Sequence, residues 1–194
     1  MPPMRRSIRR YLDQPVPPEI VDELLTAATT APSPHHRQPW RFAVVRGASR
    51  ERLAAAMGAR LRADRLRDGD PPDVVERDAQ RSFARITTAP VSLLACLSMA
   101  DMDVYPDARR AAAERWMAGQ AVACAVQNVL LAAAQRGLGA CWMCAPLFCP
   151  DAARDALSLP ADWEAQALVT LGWPADDGRP RARRPLADVV VLRD

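Results

Sequence analysis

The chain has 194 residues, 49% of them apolar and 25% charged, with a mean hydropathy of −0.16; this is the balance of one folded globular domain, not of a disordered, collagenous or disulfide-scaffold chain. All 26 basic residues are arginine, which excludes Schiff-base catalysis and the phosphate-binding lysine of a Walker A loop and leaves guanidinium to hold any anion. A formal charge of only +3, with acidic residues interspersed among the basic ones, is not the balance of a nucleic-acid binder.

Arg5, Arg6, Arg9 and Arg10 stand where the apolar stretch of a secretory leader would lie, so a cytoplasmic protein is expected. Pro17 and Pro18 then precede Ile20, Val21, Leu24 and Leu25, whose spacing predicts one apolar face of a helix running to about Thr30, ended by Pro32 and Pro34. Residues 41–46 read as a short strand ended by Gly47. A helix over about 50–67, capped by Ser49, and a second polar helix up to Ile86 read as peripheral and largely solvated. Val91–Leu97 is an apolar run of strand length, expected to be buried on both faces. After a loop over 101–107, alanine dominates a long helix over 111–135, ended by Gly137 and Gly139. Its central stretch is long enough to span a bilayer, but Gln120, Gln127 and Asn128 favour a buried soluble helix, because unpaired amides are expensive in hydrocarbon. Short strands over 140–144 and 166–172, a short helix over 150–157 and a final strand over 188–192 complete the reading. The irregular order predicts an α+β sandwich in one domain.

Three constellations carry possible chemistry. Several guanidinium forks and the Ser7 hydroxyl within residues 5–10 suit a phosphate monoester, and Arg179, Arg181, Arg183 and Arg184 form a second basic cluster on a proline-stiffened path; on charge alone the first reads more readily as a solvated tail, and the second has the same two readings. Residues 31–40 place Ser33, His35 and His36, both histidines of the chain, on a loop stiffened by Pro32, Pro34 and Pro39, a ligand-facing arrangement without the glycine elbow of a serine nucleophile. Cys141 and Cys144 have redox-motif spacing, but within an apolar strand pattern they read as small core residues, and the five cysteines make neither a disulfide framework nor a metal site.

In order, the RRSIRRY opening, PSPHHRQPWRF at 32–42, Gln127-Asn128 in the alanine-rich helix, GLGACWM at 137–143, and Gly172-Trp173-Pro174 before RARRPL resemble the nitroreductase family. Its members are FMN-dependent homodimers, so the resemblance implies a nitroreductase-like α/β sandwich with a central mixed or antiparallel sheet flanked by helices. Pro34-His35-His36, Arg62-Ala63-Asp64, the stretch from Tyr105 to Glu114, and LPADW at 159–163 are closer still to the C-terminal reductase domain of the bifunctional deazaflavin-coenzyme ligase.

By that resemblance Arg5, Arg6, Ser7, Ile8 and Arg9 would meet FMN, and Arg181 and Arg183 would complete the grip on its phosphate. Cys144 and Ala145 would lie over the middle of the flavin, and Asp64 or Arg65 against it or a partner subunit. Ser33, Pro34, His35 and His36 would face substrate, with the two histidines as possible proton donors; no metal is implied. The implied reaction is a ping-pong hydride transfer from NAD(P)H or a reduced deazaflavin to a small conjugated acceptor, with the dehydro form of the deazaflavin coenzyme the foremost candidate. Reduction of nitroaromatics, quinones or enones, oxygen-dependent flavin fragmentation, and a non-catalytic flavin carrier are the alternatives. A small-molecule acceptor and a homodimer are the expected partners, with no nucleic acid and no membrane.

Overall fold

A computed structural model describes residues 5–191. Four strands, β1 (Trp40–Val45), β2 (Val91–Leu97), β3 (Gly139–Met143) and β4 (Glu164–Gly172), form one sheet in the order β1-β2-β4-β3, every neighbour antiparallel. Five helices cover it: α1 (Pro18–Thr29), α2 (Ala48–Arg67), α3 (Pro72–Thr87), α4 (Ala108–Gln135) and α5 (Pro150–Ala156).

The two faces follow from the alternation of β2, which is buried along its whole length. Leu93, Ala95 and Leu97 point into a core shared with Val21, Leu24 and Ala28 of α1 and with the alanine-rich stripe of α4. Leu94 and Cys96 point the other way, against Leu53, Ala54 and Met57 of α2, Ile86 of α3 and Ala153 of α5. Each fully buried leucine contributes about 1.5–3 kcal/mol, so both layers are integral to the fold. This corrects the reading of residues 48–87 as peripheral: their arginine-rich surfaces hide a narrow apolar stripe that closes the second face.

In α4 the buried residues Glu114, Ala118, Ala121, Val122, Ala125, Val126, Val129, Leu130 and Ala133 recur at helical spacing. Asn128 donates to the Ala27 carbonyl (3.1 Å) and to the Thr30 hydroxyl (3.2 Å), tying α4 to the end of α1.

Two further expectations are corrected. Ser49 does not cap α2: the chain enters that helix through Gly47 at φ 53°, and the Ser49 hydroxyl, already inside, accepts from Arg52 (2.8 Å). The strand expected over 188–192 is absent from the described residues. Leu186–Asp188 form a single 3₁₀ turn and residues 189–191 lie exposed without a strand partner, while Leu192 falls outside the described residues. Val189, Val190 and Val191 have strand composition, but a strand needs a neighbouring edge, and these residues meet none among the described residues.

Candidate functional site

The opening segment is fastened from two sides. Ile8 N–H donates to the Ala140 carbonyl (2.9 Å), placing Ser7 and Ile8 beside the edge strand β3. Leu12 N–H donates to the Trp173 carbonyl (2.9 Å), and Ala175 N–H donates to the Arg10 carbonyl (3.0 Å). Tyr11 donates its hydroxyl proton to the Ile8 carbonyl (2.8 Å) and sits 2.8 Å from the Thr170 hydroxyl of β4. Burial pushes the Tyr11 phenol well above its ordinary range, so it serves as a neutral strut.

Gly139 and Gly178 permit this close approach. A Cβ on Gly139 would stand 2.6 Å from Cγ2 of Ile8, and one on Gly178, at φ 67°, would stand 2.9 Å from Cδ1 of the same residue. Ile8 is therefore buried as a wedge: its N–H and carbonyl are engaged by Ala140 and Tyr11, and it does not itself line the crevice formed by its neighbours.

These contacts bring the two basic clusters together. Arg5, Arg6, Ser7, Arg9 and Arg10 line one wall of a crevice of about 540 Å³, and Arg179, Arg181 and Arg183, with Asp176, line the other. Arg85, from the last turn of α3, also lines the crevice. Cys141 of β3 lies beside them: burial pushes its thiol up, against the opposing pull of Arg9, Arg85 and Arg5. Among the described residues Arg10 alone of these eight arginines has a carboxylate partner, Asp176 at 3.8 Å. Elsewhere most arginines are paired, as Arg62 with Glu76 (2.7 Å) and Arg65 with Asp78 (2.6 Å). Arg6 also donates to the Asp177 carbonyl (3.3 Å) and Arg9 to the Ser7 carbonyl (3.5 Å); guanidinium groups without carboxylate partners in one concavity have the charge and donor geometry that suit a multiply charged anion.

Arg85 was not singled out from sequence, although a signal existed. In α3, Arg77 has Asp73 four residues before it and Arg81 has Asp78 three before it, and both pairs form. Arg85 has Arg81 and Ser82 at those positions, so no carboxylate on its own helix face engages it.

The other candidates lie apart from this crevice. Cys144 is exposed at the far end of β3, about 3.3 Å per residue along the strand from Ala140. Its carbonyl accepts from Leu147, and Ala145, half-buried, begins a 3₁₀ turn there. Asp64 is engaged by Arg60 (3.1 Å) and Arg67 (2.8 Å), and Arg65 by Asp70 (2.5 Å) and Asp78; within one chain neither lines the crevice.

The histidine loop is held by its own polar groups. Gln38 N–H donates to Ser33 Oγ (3.0 Å), so that hydroxyl is occupied as a turn brace. Pro34 opens a 3₁₀ turn in which His35, His36 and nearby Gln38 all have positive φ, at 45°, 57° and 51°. Such backbone costs on the order of 1–3 kcal/mol per residue and persists only where its surroundings enforce it. Arg37 bonds Asp103 (2.6 Å), His35 lies 4.0 Å from the same carboxylate, and the Gln38 side-chain amide donates to His36 Nε2 (3.2 Å). Both rings remain exposed.

Residues 4–173 match the sequence model of the nitroreductase family. The chain belongs to the nitroreductase family. It is 32% identical to an NADH dehydrogenase of Thermus thermophilus, covering 97% of this chain and 92% of that protein. It is 31% identical to a nitrobenzene nitroreductase of Ectopseudomonas oleovorans, covering 96% and 90%. The FMN complex of a protein described as a nitroreductase from Desulfovibrio desulfuricans superposes with a TM-score of 0.73 at 30% identity, covering 98% of this chain and 92% of that one. As a nitroreductase-family member the protein is an oxidoreductase with the family's α+β fold. The matched region ends at residue 173, so the nitroreductase core contains the opening arginines, whereas Arg179, Arg181 and Arg183 stand on the segment beyond it.

Proposed function

We propose that this protein is an FMN-dependent reductase that draws hydride from NAD(P)H and delivers it to a small conjugated or heteroaromatic acceptor. The observation that carries the reading is the convergence of arginines from the two ends of the chain on one crevice. The donor set fits the cofactor: a phosphate monoester carries about −1.5 to −2 charge near neutrality, and forked guanidinium groups match its oxygens. FMN bound there would supply the hydride-transfer chemistry of the reaction.

Arg5, Arg6, Ser7, Arg181 and Arg183 would hold the phosphate and ribityl chain. Arg9 would face the pyrimidine edge, where a fixed positive charge favours the reduced state. The main chain at Cys144 and Ala145 would border the ring system, and Asp64 and Arg65 would reach it only from a second subunit. His35 and His36, exposed on a rigid loop, would bind the acceptor or hand it a proton. The dehydro form of the deazaflavin coenzyme is the finer acceptor candidate, resting on the likeness of residues 34–36, 105–114 and 159–163; the two relatives above support instead the broader class of nitroaromatic and NADH-linked chemistry.

The test is flavin content and turnover. Purified protein is expected to show a flavin spectrum and to oxidise NAD(P)H with nitrobenzene, a quinone or the dehydro-deazaflavin as acceptor. Each charge-assisted hydrogen bond is worth about 1.5–3 kcal/mol, so Arg181→Gln with Arg183→Gln should weaken FMN binding at least tenfold. His35→Ala with His36→Ala should raise the acceptor KM. Protein that binds no flavin when supplied with FMN would overturn the reading, and flavin binding without NAD(P)H oxidation would make it a carrier.

A further inference from the structure

The crevice carries more positive charge than one phosphate can use. Eight guanidinium groups face a single carboxylate, Asp176, whereas a phosphate monoester brings at most about two negative charges. The proposed function assigns Arg5, Arg6, Arg9, Arg181 and Arg183 to the cofactor, and Arg10 is engaged by Asp176. Arg85 and Arg179 are left over.

Neither has a carboxylate or carbonyl partner among the described residues, and both stand on fixed backbone. Arg85 is half-buried in the last turn of α3. Arg179 is set between Gly178, whose φ of 67° turns the chain against Ser7 and Ile8, and Pro180, which fixes the following path. Like charges gathered in this way repel unless an anion lies among them. We propose that Arg85 and Arg179 form a second anion subsite in the crevice, which takes the 2′-phosphate of the phosphorylated nicotinamide nucleotide and so selects NADPH over NADH as hydride donor.

This rests on the FMN reading of the same crevice, and the two are separable because flavin content and donor preference are different measurements. The subsite predicts that the holoenzyme uses NADPH with a kcat/KM at least tenfold above that for NADH, the preference falling as ionic strength rises. Adenosine 2′,5′-bisphosphate should compete with NADPH more strongly than adenosine 5′-monophosphate does. In the Arg85→Gln, Arg179→Gln double variant the KM for NADPH should rise at least tenfold more than that for NADH, while flavin bound per chain and the circular dichroism spectrum stay those of the parent.

Equal use of both nucleotides by the parent, or an equal rise in both KM values, would overturn the subsite and leave the FMN reading standing. Loss of flavin from the double variant would also overturn it, assigning the two arginines to the cofactor phosphate. A parent that binds no flavin would remove the underlying function as well. If the double variant does not fold, the parent's donor ratio and the two adenosine phosphates decide the matter alone.

Discussion

Two hydrogens, one on each Cα of Gly139 and Gly178, decide whether the opening arginines can reach the closing ones. At Gly139 the obstacle to a side chain is the branched carbon of Ile8 as well as its tip, so no rotamer change clears the space. Gly139→Ala must displace the opening segment from β3. It is expected to cost about 1–3 kcal/mol of stability, the usual penalty for overpacking, and to weaken FMN binding in parallel. Urea denaturation and flavin fluorescence of the variant check both. Unchanged flavin affinity at reduced stability would show that Ile8 is only a core residue. Tyr11 works at the same scale, since its half-buried hydroxyl ties Ile8 to Thr170 at the base of the segment that carries Arg9 and Arg10.

At the scale of elements, α2 and α3 are joined by charge on their outer side and by apolar contacts beneath. Arg62 meets Glu76 through two hydrogen bonds (2.7 and 3.0 Å), and Arg65 bridges Asp70 and Asp78. The Arg62 hydrogen bonds, and after them one from Gln80, hold the Glu76 carboxyl at about 2, below its usual 4.5. Arg65 likewise lowers Asp78. A carboxylate whose folded pKa is depressed stabilises the fold at all pH values above its unfolded pKa and loses that contribution as pH falls through the folded one. The urea midpoint should therefore decline between about pH 5 and pH 2. Glu76→Gln should start lower near neutrality and lose less over that interval, and salt should shrink the difference, since the pair is exposed. A parallel decline in both proteins would assign the acid sensitivity elsewhere.

At the scale of the whole molecule, apolar side chains stand exposed among the described residues. Trp116 is 71% exposed on the outer face of α4, next to Leu147 across a cleft of about 460 Å³, and Leu186 and Val191 are 74% and 71% exposed on the closing segment. Residues 179–191 are exposed throughout. Such surfaces fit a two-fold association in which each closing segment lies on the other copy. Sedimentation is expected to show a dimer, and removal of residues 186–194 should shift it toward monomer and lower flavin retention. A parent that sediments as a monomer at micromolar concentration would refute the association.

Several features were legible in the order of residues alone, because they depend on local pattern. The unbroken apolar run of β2 marked a strand buried on both faces, the alanine spacing of α4 marked a core helix, and the two arginine clusters marked the basic lining of the crevice. Other features depend on what each segment meets in space. The valines at 189–191 spell a strand but find no edge among the described residues, and the arginine-rich α2 and α3 read as solvated but close the second face of the sheet. Arg85 joins arginines more than seventy residues away on either side. Sequence determined which charges and apolar stripes exist. Tertiary structure decided which of them share a crevice, because an arginine's partner is fixed by distance through space, and only packing of the sheet brings the two ends of the chain within that distance.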